Sequence, residues 1–301
     1  MIKITLALFL SLFVLSNANL YGLWQTGNTA NFGQIATNGQ PTMNLEFPNY
    51  YNWHPGNSAM NNLTSIMTFI LSFQNGNQFL VSVNVAKNEV NNFVIIPSNV
   101  KPYGLHYDSD VNSLKCVLSS DINTWLVGEM DPNSASYDVY GSVQGAFLGA
   151  GLSTYNHTYY VVTSTTSQTT MNSFDTRSGQ YLGAVPLVLP SNVIAGPYNL
   201  LWISSLDMLV GTVVIQDSNG NSGQDYAFVD PISGAVKPFG IYTPSQQVTV
   251  VSHAAHQNLI YAAANFNANL QFVTIDIQKA AQVATSTEPT FLVTMGYFTN
   301  I

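Results

Sequence analysis

Ser173-Phe-Asp175-Thr-Arg-Ser-Gly179-Gln-Tyr-Leu182 and Phe228-Val-Asp230-Pro-Ile-Ser-Gly234-Ala-Val236 are two copies of one pattern. Each runs from an apolar strand through Asp into a Ser-Gly turn and out into a second strand. An Asp before a turn accepts hydrogen bonds from backbone N–H groups two residues on. Pro at the next position presets φ for a type I turn, and Gly closes it with positive φ. Each copy therefore reads as a hairpin.

The pattern recurs along the chain. Val273-Thr-Ile-Asp276-Ile-Gln-Lys-Ala280 and Val127-Gly-Glu-Met-Asp131-Pro-Asn-Ser134 are weaker copies. Val81-Ser-Val-Asn84-Val-Ala-Lys-Asn88 and Gln34-Ile-Ala-Thr-Asn-Gly39 are degenerate ones. Turn anchors fall at 39, 88, 134, 179, 234 and 280, separated by 49, 46, 45, 55 and 46 residues. A second pair of short apolar strands precedes each hairpin. These pairs are Gly104–Asp108 with Leu114–Leu118, Gly151–Tyr155 with Tyr159–Thr163, Leu200–Ser204 with Met208–Val214, and Val250–Ala254 with Leu259–Ala263. Ser65–Ser72 with Gln78–Val83 reads the same way.

One unit is thus four strands in about 48 residues, the size of a propeller blade. The 283 residues after Ala18 hold about six of them. The expected fold is all-β, a single β-propeller of about six four-stranded blades over residues 19–301. Five or seven blades stay open, because the first repeats are degenerate. The N-terminus begins part-way through a blade, with a strand near Leu20–Trp24 and then the Phe32–Phe47 hairpin. Phe291–Phe298 reads as a lone first strand, so joining the two ends would close the ring and hide two sheet edges. The hairpin motifs, Phe228-Val-Asp230-Pro-Ile-Ser-Gly234 above all, resemble those of secreted quinoprotein-like and YVTN-type β-propellers over most of residues 60–290. That resemblance implies architecture and no particular activity, because the fold hosts many functions.

Composition agrees with strands and polar turns. Only 7% of residues are charged, against a typical value near 25%. Asn, Ser, Thr and Gln must cover the surface, and long solvated helices with charged pairs are disfavoured. The net charge is −8 and Arg177 is the only arginine, so no basic patch for nucleic acid or anionic membrane can be assembled.

Met1–Ala18 reads as a signal peptide: Lys3, an apolar run from Ile4 to Leu15, and a Ser16-Asn17-Ala18 cleavage site. The expected destination is extracellular or an endomembrane lumen, with no membrane insertion after cleavage. Cys116 is the only cysteine, which rules out an internal disulfide and reads as a buried, inert thiol. Asn62-Leu-Thr64 and Asn156-His-Thr158 are N-glycosylation sequons in or near turns, so a glycoprotein is expected.

Two stretches are candidate sites. Asp217-Ser-Asn219-Gly-Asn221-Ser-Gly223-Gln-Asp225 offers oxygen ligands from Asp217, Asn219, Asn221 and Asp225, a spacing suited to Ca²⁺. It resembles the calcium hairpins of integrin-type propellers, with Ser222 where Gly is expected. The bland reading is a hydrophilic hairpin tip. Phe47-Pro-Asn-Tyr50-Tyr51-Asn-Trp53-His54-Pro-Gly56 reads as a long connection between blades. Its Tyr50, Tyr51, Trp53 and His54 suit a neutral sugar, or else plug the channel. His106 and His253 occupy similar places in the innermost strands, where polar lining is the simpler role. Asp131, Asp175, Asp230 and Asp276 are turn residues. Glu46, Asp108, Asp207 and Glu288 are acids near blade edges with no sign that they converge.

The leading functional reading is a non-enzymatic extracellular binding protein presenting a propeller face to a glycan or protein partner. The alternative is a hydrolase or lyase at the channel mouth, calcium-assisted and lactonase-like. A channel lined by three or more convergent carboxylates or Asn would favour the enzyme, and a channel plugged by aromatics with an apolar rim would favour binding.

Overall fold

The Asp turns form as the sequence predicts. Asp175 Oδ1 accepts from Arg177 N at 3.0 Å and Ser178 N at 2.7 Å. Asp131 accepts from Asn133 N at 2.9 Å, and Asp230 from Ile232 N at 2.9 Å. The turn closes in the left-handed region, at Gly179 (φ 70°) and Gly234 (φ 74°), in the weaker copy at Ala280 (48°), and in the degenerate copies at Gly39 (79°) and Asn88 (55°). In the third blade Ala135 (φ 55°), not Ser134, holds that position.

The computed structural model describes residues 18–36, 38–51, 57–121, 123–287 and 292–299. They form six antiparallel blades in a ring, with almost no helix beyond the single 3-10 turn Pro244–Gln246. From the axis outward, the first blade is Leu292–Thr299, Ala18–Thr26, Thr29–Ile35 and Pro41–Pro48. Both chain ends thus share one sheet, as expected, with Leu20 opposite Tyr297 and Gly22 opposite Met295. The third blade is Pro102–Asp108, Ser113–Ser119, Thr124–Met130 and Tyr137–Gln144. The fourth is Ala146–Ser153, Thr158–Ser164, Thr169–Asp175 and Tyr181–Pro186. The fifth is Val193–Ile203, Met208–Gln216, Ser222–Val229 and Val236–Pro238, and the sixth Val248–His256, Leu259–Phe266, Asn269–Asp276 and Ala281–Thr287.

The second blade departs from expectation. Ile66–Phe73 and Gln78–Asn84 are its second and third strands, not its first two. Its innermost strand is split into Tyr50–Tyr51 and Ser58–Asn61, both paired to Ile66–Phe73. Tyr50 and Tyr51 therefore begin a blade rather than bridge two of them. The longest repeat, 55 residues between Gly179 and Gly234, has a physical origin as well. The innermost strand Val193–Ile203 shifts register three times against its neighbour and so absorbs three of the extra residues.

Burial follows position in the blade. The second strands Ser113–Ser119 and Thr158–Ser164 are buried along almost their whole length, because blades cover both faces. The outermost strand Tyr181–Pro186 is exposed or half-buried throughout. The core consists of six apolar clusters, one at each seam between adjacent blades. Leu20, Trp24 and Met295 of the first blade meet Ala254, Ala263 and Phe272 of the sixth, which closes the ring. Cys116 is fully buried at the seam of blades two and three, and burial pushes its thiol up to about 12, as an inert core residue requires.

Blades can approach closely where an innermost strand carries glycine. A Cβ on Gly149 would lie 2.5 Å from the backbone nitrogen of Asn199 in the next blade. Gly149→Ala is expected to force the seam of blades four and five apart and cost about 1–3 kcal/mol. A denaturant titration checks it, and a midpoint equal to the parent's would show that the seam has slack.

Candidate binding site in the central channel

Strands in a blade alternate direction. The turns between first and second strands, and between third and fourth, therefore share one face of the ring. The turns between second and third strands share the other face with the connections between blades. Both sequon asparagines, Asn62 and Asn156, are exposed in first-to-second turns and so lie on one face. The Asp217 loop joins Met208–Gln216 to Ser222–Val229 and lies on the opposite face.

The innermost strands of all six blades surround a cavity of about 480 Å³. Tyr103, Phe147 and Trp202 give it aromatic walls, and Leu105, Leu200 and Met295 add aliphatic ones. Its polar groups include His106, His253, Asn57, Asn62, Asn199 and Thr154, with Ser58 and Tyr107 beside them. Among the described residues that line it there is no Asp, Glu, Lys or Arg.

Several of these polar groups tie blades together. Asn57 donates to Pro102 O at 3.2 Å and accepts from Gly104 N at 3.1 Å. His106 Nε2 lies 3.0 Å from Ala150 O, so this nitrogen carries the proton and binds blade three to blade four. His253 Nδ1 lies 3.1 Å from the buried Tyr226 hydroxyl, and the ring also bonds the Asn199 backbone. Asn199 is exposed on the channel wall with a left-handed φ of 46°.

Burial pushes both imidazoles down to about 4, so both are neutral at pH 7. In the unfolded chain they titrate near 6.5. Between these values the unfolded state takes up protons that the folded state refuses, so stability falls as pH drops from about 6.5 to 4. The loss is at most about 3 kcal/mol per histidine. Burial raises Asp225, which opposes this trend at its acidic end, while Asp131, Asp175 and Asp230 are held below the ordinary carboxylate range by turn hydrogen bonds. Thermal melts from pH 7 to 4.5 are expected to show a steady decline that His106→Gln/His253→Gln flattens. A parent profile that is flat across this range would contradict the neutral assignment.

The other predicted site residues are dispersed. Asp217 Oδ1 accepts from Asn219 N at 2.9 Å and Asn221 N at 3.0 Å, and Oδ2 from Asn221 Nδ2 at 2.8 Å. Asp225 is fully buried and turned inward, accepting from Gly240 N at 2.7 Å and Tyr242 N at 3.2 Å. The loop thus gathers Asp217, Asn219 and Asn221, while the Asp225 carboxylate serves the connection to blade six. Among the described residues no group of three or more His, Cys, Asp or Glu is placed to hold a metal. Tyr50 packs on Phe73, Phe79 and Phe93, with ring centroids 5.0, 5.5 and 5.4 Å away. Tyr51 pairs with Ser72. Trp53, His54 and Glu288 lie outside the described residues. Glu46 is in an outermost strand, Asp108 is fully buried, and neither lines the channel. Tyr103, Phe147 and Trp202 were not singled out by the sequence reading. Their only signal was a place on an innermost strand.

No protein-family model matches the chain, and no curated protein matches it. Solved structures do. A chain of a nidogen–laminin complex superposes with a TM-score of 0.65 at 9% identity, covering 93% of this chain and 98% of that one. TolB from Acinetobacter baumannii superposes with a TM-score of 0.65 at 11% identity, covering 94% and 67%. The Cps50 (Swd1) β-propeller domain of Myceliophteria thermophila gives 0.54 at 10%, covering 91% of each chain. At such identities the likeness is one of fold, and the six sheets of the ring give the count: the chain is a six-bladed β-propeller.

Proposed function

We propose that this chain is a non-enzymatic extracellular binding protein, with the central channel as its site for an uncharged glycan and a propeller face for a protein partner. The observation that carries this reading is the chemistry of the channel wall. Aromatic rings provide faces on which a sugar can stack, and the exposed Asn199 amide provides a donor and an acceptor. Asn57, Asn62 and Asn199 all line the wall, as the enzyme alternative expects, but Asn57 is spent on Pro102 O and Gly104 N, and among the described residues no Asp or Glu joins them. General acid–base hydrolysis needs a titratable group poised near the working pH. His106 and His253 are held neutral and already bonded to protein groups.

Export rests on the Met1–Ala18 segment, and the two sequons suit an exported chain. The likeness to a chain of a nidogen–laminin complex supports a role in assembly between proteins. The test is to express the full chain in a eukaryotic secretory host, recover it from the medium, and probe a glycan array and a partner pull-down. A panel of lactones and glycosides with and without Ca²⁺ tests the hydrolase or lyase alternative. Retention without turnover supports the binding reading, whereas product release that needs Ca²⁺ and is lost in Asp217→Ala would establish the alternative.

A further inference from the structure

The seam between blades four and five opens on the sequon face as a second cavity, of about 580 Å³. Its walls bear apolar groups that none of the described residues covers. Tyr155 is 80% exposed, Ile232 88% and Leu182 53%. Exposed apolar side chains gathered in a concavity mark a place that something occupies.

Asn156 lines this cleft. Its amide nitrogen donates to the hydroxyl of Tyr160 at 3.1 Å, and Tyr160 is a buried residue of the same wall. The atom that would carry a glycan therefore lies at the wall of the cleft, held there by Tyr160. We propose that this cleft is the seat of the protein's own glycan on Asn156. In the transfer, Asn156 Nδ2 bonds to C1 of an N-acetylhexosamine carried on a polyprenyl diphosphate. The C1–O bond breaks, the diphosphate leaves with its electron pair, and Nδ2 loses one proton. The remaining N–H keeps the bond to Tyr160. The first sugars then lie against Tyr155 and Leu182. Asn62, at the channel rim, serves as the internal comparison.

This inference rests on the export reading above. The test uses the full chain with its own leader, secreted by a eukaryotic host, as parent, Asn156→Gln and Asn62→Gln. Glycopeptide mass spectrometry reads occupancy, an apolar dye reads the open cleft, and a thermal melt reads stability. The expected result is a glycan on Asn156, several-fold more dye bound by Asn156→Gln, and a midpoint lower by about 3–6 °C, with Asn62→Gln like the parent. The same pair made in the bacterial cytoplasm, where neither carries sugar, should not differ. A difference that persists there assigns the effect to the lost Asn156–Tyr160 bond and overturns the seat. So does a glycan on Asn62 alone, or equal dye binding with and without the Asn156 glycan, which would point to a protein occupant. Retention in the cell with both sequons bare overturns the export reading and the seat together.

Discussion

A chain ending at Thr287, without the strand Leu292–Thr299, is expected to lose its cooperative melt and to aggregate. The reason is topological. That strand is the innermost one of the first blade, paired along Ala18–Thr26, and removing it leaves the edge of Ala18–Thr26 unpaired. An unpaired edge is a template for association with other chains. Met295 also leaves the cluster that joins the first blade to the sixth, so the ring opens at the same point. Size-exclusion chromatography and a thermal melt decide the matter. A monomeric product that melts sharply near the parent's midpoint would mean that the first blade holds without its inner strand.

Glu129→Ala is expected to cost about 3 kcal/mol, or roughly 6–12 °C in the melting midpoint. Its partner Lys115 is fully buried, and the ammonium donates to Glu129 at 2.5 Å, to the Tyr140 hydroxyl at 2.7 Å and to Thr176 O at 2.9 Å. Glu129 is itself only 31% exposed and also accepts from Ser113 and Tyr140. Burial raises its carboxyl, but the hydrogen bonds from Lys115, Tyr140 and Ser113 outweigh this and hold it below the usual range. Without Glu129 the ammonium keeps two neutral acceptors and no counter-charge, in a place where water cannot reach it. Lys115→Met/Glu129→Leu should recover most of the loss, because removing both charges removes the desolvation penalty with them. A Glu129→Ala midpoint within a degree of the parent would show that the charge finds another partner at the seam of blades three and four.

The turns were the legible part of this chain. Asp175, Asp230 and their weaker copies announce themselves because a tight turn admits few residue types, and their spacing yields the blade. Closure by the two ends followed from counting strands at each end. The second blade was misread because the segments that pair on the inner side of Ile66–Phe73 are only the short Tyr50–Tyr51 and Ser58–Asn61. Period and turn chemistry cannot report a strand split in this way. Sites were harder to find. Asp225 fits a calcium spacing along the chain, yet its side chain turns to the backbone of Gly240 and Tyr242, a partner fixed only by tertiary packing. Trp202 has no local signal, because what matters is which blades its ring faces. Lys115 sits in an alternating apolar run, and nothing nearby in sequence says that Glu129, Tyr140 and Thr176 will meet it.

The central claim is that the channel binds an uncharged ligand and leaves it intact. Its most direct test sets the secreted parent beside Asn199→Gly on an array of neutral oligosaccharides, with the bound sugars recovered and analysed. Glycine accommodates the left-handed backbone at this position while removing the exposed amide from the channel wall. The expected result is that the parent retains a neutral glycan unchanged and that Asn199→Gly binds it about tenfold more weakly. Cleaved sugars, or retention indifferent to Asn199, would contradict it.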